Sequence, residues 1–247
     1  MSTESDNKMK TEMQDIVGKT MRDTFEGMFG WPVQTAAGRG TLMADILRTA
    51  GHWPDFQKTL SVHLVETSPQ LRREQAAALK DRVCAWHEDV SALPQDAFSL
   101  IISNEFFDAL PVRQFVFQAG VWRERYVVWD DAAGALRLEA REAAAHDVRQ
   151  CMPEDIPVPA EGDIFEASPQ SCAIAAHLAA HIAKAGGACL SIDYGHLRSG
   201  YGDTVQAVRS HAYTDVLAAP GSQDITAHVD FAALGRAAMP HAHVLPA

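Results

Sequence analysis

The sequence predicts an α/β fold built on an open, largely parallel β-sheet. Short apolar runs rich in β-branched residues recur along the chain, and segments with helical periodicity fill several of the connections between them. Glycines or acidic residues follow several of these runs, at the position where parallel sheets bind ligands. A chain of 247 residues is long enough to form one hydrophobic core.

The first half of the chain contains four predicted strands. They span residues 31–33, 60–66, 83–86 and 98–103. Gly38 and Gly40 form a turn between the first strand and an amphipathic helix that starts at Thr41. A Ser-Pro pair, Ser68 and Pro69, starts the helix after the second strand. The fourth run is continuously apolar, which is typical of a buried parallel strand.

The second half combines an antiparallel region with one more crossover unit. Aromatic and polar residues alternate over 115–129, and 136–139 can pair with them, so we expect a hairpin or a meander here. The proline-rich stretch 151–169 has the composition of a loop. A helix over about 170–184 then leads to a fifth buried strand at 188–195, and a short helix is predicted at 231–238.

Composition excludes several classes of function. The formal net charge of −11 disfavours nucleic-acid binding, which needs clustered basic residues, so a protein or small-molecule substrate is expected. No apolar run is long enough for a membrane helix. The first twenty residues lack the apolar centre of a secretory signal, and we expect a cytoplasmic protein. His241 and His243 lie close together without further ligands, so no metal site is predicted.

Four residues near predicted strand ends are candidates for binding a nucleotide-like cofactor. Gly38 and Gly40 would let a ligand approach the backbone at the start of a helix, although a plain tight turn is the alternative. Glu66 ends the second strand, where an acid accepts hydrogen bonds from ribose hydroxyls; the alternative is a solvated acid that caps the next helix. Asp89 follows the third strand and could meet an adenine amino group, or be an exposed loop acid.

The residues after the fourth strand are candidates for the reaction itself. Asn104, Glu105 and Asp108 would place an amide and two carboxylates at an apolar rim formed by Phe106 and Phe107. Such groups can orient a nucleophilic nitrogen while the aromatic rings exclude water. The alternative is that Asn104 and Asp108 cap a turn and the phenylalanines fill the core.

Six segments of the chain resemble the MidA-like methyltransferases, which use S-adenosylmethionine (SAM). The segments are 38–45, 62–69, 104–115, 192–196, 202–209 and 224–231. They occur in the family's order over most of the chain. The resemblance implies a class I methyltransferase fold, which is Rossmann-like, with an antiparallel hairpin insertion at about 112–168. It divides the chain into a polar segment, 1–30, and a methyltransferase domain, 31–247.

The resemblance also implies roles for the candidate residues. SAM would be held by the turn at Gly38 and Gly40, with ribose contact from Glu66 and adenine contact near Asp89. The family includes a mitochondrial arginine methyltransferase that acts in assembly of respiratory complex I. A protein arginine is therefore the implied methyl acceptor, and complex I assembly is the implied process.

The substrate site implied by the resemblance comprises Asn104, Glu105 and Asp108. Because a guanidinium stays protonated at neutral pH, a carboxylate such as Glu105 is needed to hold it and to offset charge as a proton leaves.

Two departures from the family pattern keep other functions open. The family has Glu-Leu-Gly-Pro-Gly-Arg-Gly where this chain has Gln34-Thr35-Ala36-Ala37-Gly38-Arg39-Gly40. The chain is also expected to be shortened at both ends and to lack terminal strands. A catalytically silent SAM-binding or assembly protein is therefore the alternative to an enzyme. A nicotinamide-dependent oxidoreductase fits less well, because no complete G-x-G-x-x-G follows the first strand.

Overall fold

A computed structural model describes residues 37–210, 212–218 and 220–245. The strand predicted at 31–33, the polar segment 1–30 and the altered residues Gln34 and Ala36 lie outside the described residues. The chain divides into two units, residues 1–89 and 90–247, and each has buried clusters of its own.

The first unit contains a parallel strand pair with helices before and between the strands. Its elements are α1 (Thr41–Ala50), α2 (Pro54–Thr59), β1 (Val62–Val65), α3 (Pro69–Leu79) and β2 (Val83–His87), with short 3-10 helices at Ala37–Arg39 and Lys80–Arg82. Val65 lies opposite His87 in the parallel pairing. These elements match the predicted strands and crossover helix.

A small apolar core holds the first unit together. Leu47 of α1, Val62 of β1 and Leu79 of α3 are buried against one another. Each such side chain contributes roughly 1.5–3 kcal/mol by leaving water. Ser68 accepts a hydrogen bond from the Leu71 N–H and Pro69 occupies the first turn, which fixes the start of α3.

The second unit combines parallel and antiparallel strands. Its elements are β3 (Ser99–Asn104), β4 (Arg113–Gln118), β5 (Val121–Asp130), β6 (Ala135–Glu142), α4 (Ala145–Cys151), β7 (Ile164–Ala167), α5 (Pro169–Ala185), β8 (Gly187–Ile192), β9 (Gly195–His196), β10 (Gln206–Arg209), β11 (Ala212–Thr214), β12 (Asp224–Thr226), β13 (Val229–Asp230) and α6 (Phe231–Ala238).

The strand pair β3–β8 is parallel and runs in register from Ser99 opposite Gly187 to Asn104 opposite Ile192. β9 and β13 form a second parallel pair. α5 precedes β8 and packs against α6. The core between these elements comprises Phe107, Leu178, Val229 and Leu234.

The start of β8 admits only glycine. Gly187 has φ +139°, and a Cβ there would lie 1.9 Å from the carbonyl oxygen of Ser99. Because that separation is far below any real contact, the in-register pairing with β3 depends on the missing side chain.

An antiparallel sheet has the strand order β6-β5-β4-β7. The predicted hairpin forms β5 and β6, but the stretch 151–169 is not all loop as predicted, because it contains β7. This strand of four residues is hidden among prolines in the sequence. Its formation depends on pairing with β4, which sets Phe165 opposite Phe115 with both rings buried.

Another small sheet places β10 between β11 and β12, all antiparallel. No strand was predicted between 195 and 231, since these strands are too short to show a periodicity. The helix after it, α6, has the predicted bounds. Among the residues described, no helix has the length and apolarity needed to cross a bilayer.

Candidate functional site

The glycine turn stands at the start of α1. Gly38 lies in the 3-10 helix Ala37–Arg39, and Gly40 occupies the N-cap position of α1 with φ +82°. A Cβ at Gly40 would meet the Gln75 Cα at 3.3 Å, in a backbone conformation that side chains disfavour. The absent side chain therefore lets this turn approach α3 closely.

Glu66 is the residue after β1, and its backbone N–H continues the parallel pairing by donating to the His87 carbonyl at 2.9 Å. Its carboxylate is half-buried. Oε1 accepts the backbone N–H of Ser68 at 2.8 Å, and Oε2 accepts the Gln75 amide at 3.1 Å. Ser68 caps α3, so Glu66 is neither a freely solvated acid nor the helix cap. Each carboxylate oxygen can accept one further hydrogen bond.

Sequence reasoning missed Gln75, which joins the two cofactor-binding candidates. Its side-chain nitrogen donates to the Gly38 carbonyl at 2.7 Å as well as to Glu66. Its side-chain oxygen accepts the indole N–H of Trp86 at 2.8 Å. The structure therefore brings Gly38, Gly40 and Glu66 together around one buried amide.

A signal for Gln75 exists in the helical periodicity. Leu71, Gln75 and Leu79 are spaced four residues apart and share one side of α3. A glutamine between two leucines on a buried helix face requires hydrogen-bond partners inside the fold.

Asp89 is exposed and lies two residues after the end of β2. It takes no part in the hydrogen bonds of the Gln75 amide. Beside it, Arg72 donates to the carbonyl oxygens of Glu66 and His87, which fixes the end of β2 to the start of α3.

In the second unit, the predicted catalytic residues occupy the end of β3 and the loop that follows. Asn104 ends the strand, and the Glu105 N–H donates to the Ile192 carbonyl at 2.9 Å. Glu105 has φ +46°, an uncommon conformation for a residue with a side chain. The chain turns sharply there, and Asp108 is buried a few residues later.

A second residue that sequence reasoning did not place in the site is Asp193, which directly follows β8. Its carboxylate accepts the backbone N–H groups of Phe106, Phe107 and Asp108 at 3.2–3.4 Å. Three donors on one carboxylate fix the loop after β3 to the end of the neighbouring strand. The acid at the end of the fifth predicted strand was the only signal for it.

Burial raises the pKa values of these acids. Burial, together with the neighbouring Asp193 and Asp224, raises the pKa of Asp108 to about 6. Burial also raises the pKa of Glu105, with Asp108 and Asp224 adding to the effect. For Asp193, burial outweighs the backbone hydrogen bonds and its pKa is raised as well.

Among the described residues, no ion pair neutralises Glu105, Asp108, Asp193 or Asp224. Carboxylates that repel one another are stabilised when a positively charged ligand binds beside them, because the ligand favours their ionised forms. The chemistry of this cluster therefore suits a cation that also releases a proton.

Comparisons with known proteins assign the chain to a family. The profile described as "Putative S-adenosyl-L-methionine-dependent methyltransferase" matches residues 33–245. Protein arginine methyltransferase NDUFAF7, mitochondrial, from Mus musculus is 34% identical over 83% of this chain and 51% of its own. The Caenorhabditis elegans homolog is 32% identical over 81% of this chain and 50% of its own. The chain thus spans about half the length of the curated relatives it matches.

Two solved structures from Burkholderia thailandensis share the fold. One, bound to S-adenosyl-homocysteine (SAH) and described as a "likely methyl transferase", superposes with a TM-score of 0.67 at 28% identity, over 83% of this chain and 54% of that one. The other, a native crystal structure, has a TM-score of 0.66 at 27% identity, over 84% of this chain and 56% of that one. These matches confirm the predicted fold class.

One prediction is overturned by the relatives. A cytoplasmic protein was expected from the composition of the first twenty residues, but the curated relatives are named as mitochondrial proteins. The prediction was wrong because a destination is read by receptors from targeting sequences and leaves no mark on the fold. The family prediction itself is confirmed, and SAM is confirmed as the cofactor that the family description names. The chain belongs to the family of S-adenosyl-L-methionine-dependent methyltransferases whose profile covers residues 33–245.

Proposed function

We propose that this chain is an enzyme that transfers a methyl group from SAM to a protein side chain, namely the guanidinium of an arginine. The proposal depends on the acid cluster formed by Glu105, Asp108, Asp193 and Asp224. No ion pair among the described residues neutralises this cluster. Family membership supplies the methyl donor, and the charge of the cluster favours a cationic acceptor.

The residues of the first unit fit SAM. The turn at Gly38 and Gly40 precedes α1, and the backbone N–H groups at the start of that helix would contact the ligand. Glu66 keeps one acceptor position on each oxygen, which matches the two hydroxyls of a ribose. Asp89 is exposed and could accept a hydrogen bond from the adenine amino group. When bound, SAM would supply a methyl group carried on a positively charged sulfur. The rest of the molecule is then released as a neutral thioether.

The residues of the second unit would prepare the acceptor. Glu105 holds the guanidinium by a charge-assisted pair, and the Asn104 amide orients the attacking nitrogen. On methyl transfer the attacking nitrogen would lose a proton, and the Asp108 carboxylate would accept it. A pKa near 6 suits Asp108 to accept a proton at neutral pH. Asp193 positions the loop and contacts no reacting atom.

The alternative is a silent SAM-binding or assembly protein of the same fold. It is favoured by Gln34-Thr35-Ala36-Ala37, which replaces the acid and one glycine of the family pattern. Loss of that acid would weaken binding of the cofactor, and loss of the glycine would crowd the turn. The two functions differ in one respect, namely whether methyl transfer follows binding.

Calorimetric titration with SAM, with NADH as the control ligand, tests the cofactor first. We expect SAM to bind weakly, with a dissociation constant on the order of 10⁻⁴ M, and NADH not to bind. Gln34→Glu together with Ala36→Gly should tighten SAM binding. If the affinity for SAM does not change in this double variant, the role assigned to the turn is wrong.

Transfer of a labelled methyl group to an arginine-containing protein then separates the enzyme from the silent protein. The assay should be run on the chain itself and on a chimera that carries the terminal segments of a full-length relative. Labelled methylarginine supports the enzyme. Tight binding without transfer in both proteins would favour the silent alternative.

A further inference from the structure

We propose that Gln75 is a positioning residue for the cofactor, which sets the carboxylate of Glu66 and the glycine turn in the geometry that a ribose-containing ligand requires. This inference rests on the proposed function, because it assigns Glu66 to the ribose. Gln75 itself would touch no atom of the ligand.

The hydrogen bonds of Gln75 are fully assigned among the described residues. Its amide nitrogen has two protons, one for the Gly38 carbonyl at 2.7 Å and one for the Glu66 carboxylate at 3.1 Å. Its oxygen accepts the Trp86 indole N–H at 2.8 Å. Trp86 can only donate, and the Gly38 carbonyl can only accept, so the amide cannot be flipped.

Burial makes this arrangement rigid. Gln75 is 6% exposed, so water cannot replace a lost partner. The Gly40 turn presses against the backbone of the same residue, with 3.3 Å between the position of a Cβ on Gly40 and the Gln75 Cα. Gln75 therefore fixes both the position of the Gly38–Gly40 turn against α3 and the rotamer of Glu66.

A purely structural role does not explain the choice of glutamine. Leu71 and Leu79 flank it on the same side of α3, where an apolar side chain would pack without the desolvation cost of a buried amide. An apolar side chain would, however, leave the Glu66 oxygen and the Gly38 carbonyl without their donor. The amide is needed because it connects the two groups that would meet the cofactor.

The mechanism predicts coupling between Gln75 and Glu66. If Gln75 acts largely by orienting Glu66, then removing the amide weakens binding more while the carboxylate is present than when it is absent. A double-mutant cycle measures this coupling directly.

The cycle should be measured by calorimetric titration with SAH on wild type, Gln75→Met, Glu66→Gln and the double variant. We expect Gln75→Met to weaken SAH about 10-fold in the wild-type background and less than about 3-fold beside Glu66→Gln. Gln70→Met is the matched control, since Gln70 is an exposed glutamine of the same helix, and it should leave the affinity unchanged. Melting temperatures of all variants are recorded in parallel.

A second variant keeps the test decisive if Gln75→Met does not fold. Gln75→Glu removes both donated hydrogen bonds and adds a repelling charge beside Glu66, but its carboxyl regains one donor when protonated. Relative to wild type, its affinity for SAH should therefore rise as the pH is lowered from about 8 to about 6.

The outcomes separate the two proposals. A wild-type chain that binds no SAH overturns the proposed function, and the role of Gln75 with it. SAH binding with independent, additive effects of the two substitutions overturns the role of Gln75 alone. The same holds if Gln75→Met lowers the melting temperature while the dissociation constant stays at the wild-type value.

Discussion

The Asp193 carboxylate accepts the backbone N–H of Phe107 at 3.2 Å, which ties the end of β8 to the loop after β3. Two further N–H groups, of Phe106 and Asp108, point at the same carboxylate. The loop carries Glu105 in an uncommon backbone conformation. An acid on one strand therefore holds the predicted catalytic groups of its neighbour, and this arrangement can be tested by substitution.

Asp193→Asn should destabilise the protein and impair methyl transfer more than SAM binding. The amide keeps the size of the carboxylate but loses the charge and one acceptor, so backbone donors of the loop go unpaired. We expect a loss of about 1–3 kcal/mol in the free energy of unfolding, measured with denaturant. Asp131→Asn, at an exposed position, is the control. Equal effects of the two substitutions would rule out the anchoring role.

Glu105→Gln should separate binding from chemistry. If Glu105 holds the guanidinium, the rate of methyl transfer falls by about 10²-fold or more while the dissociation constant for SAM hardly changes. Single-turnover transfer and calorimetric titration measure the two quantities. In a chimera with a relative's terminal segments, unchanged transfer by the variant would show that Glu105 has no catalytic role.

Asp108 should make the stability of the fold depend on pH. Its pKa is about 6 in the folded protein and 3.8 ordinarily, so the folded state binds this proton more tightly. The stability it contributes is present below about pH 4 and is lost as the pH rises through about 6, by at most ~3 kcal/mol. Asp108→Asn mimics the protonated acid. It should be more stable than wild type at pH 7 and equally stable near pH 4.

Denaturant unfolding across this pH range gives the comparison, and Asp131→Asn again serves as the control. A gap between Asp108→Asn and wild type that widens toward low pH would mean that the sign of the pKa shift is wrong. Methyl transfer by wild type should decline below about pH 6, because a protonated Asp108 cannot accept the proton from the substrate.

Arg113 and Glu124 form a bidentate salt bridge within the antiparallel sheet. Two nitrogens of Arg113 meet the two Glu124 oxygens at 2.7 and 2.8 Å, and Glu124 is 8% exposed. The hydrogen bond from Arg113 lowers the pKa of Glu124. Arg113→Met leaves that buried charge without its partner and should cost roughly 3 kcal/mol of unfolding free energy.

The double variant Arg113→Met, Glu124→Met removes both charges and should recover much of this loss. Thermal and denaturant unfolding of the single and double variants give the comparison. If the double variant is no more stable than Arg113→Met, the buried charge is not the cause of the loss.

Elements with strong local patterns could be predicted from the sequence. The continuous apolar run before Asn104 is β3, and the short helix α6 has the bounds that its pattern indicates. Elements that depend on distant partners could not. β7 has only four residues among prolines, and its pairing with β4 is not visible in its own sequence.

The candidate site shows the same division. Glu66 and Glu105 lie at strand ends, where parallel sheets bind their ligands, so both could be predicted from their position. Gln75 lies inside a helix, and its importance follows from contacts with residues 9 and 37 positions away along the chain. Asp193 lies within the fifth predicted strand, but its three backbone donors come from a loop more than 80 positions earlier.

Gly187 shows how far the constraints of the site extend. It lies at the opposite end of β8 from Asp193, and the pairing of β3 with β8 starts there, opposite Ser99. Any side chain at this point would push the strands apart or shift them by one residue, and every later pair would follow, up to Asn104 and Ile192. Gly187→Ala would therefore impair the proposed methyl transfer through misalignment, at a position five residues from the predicted catalytic residues along the strand.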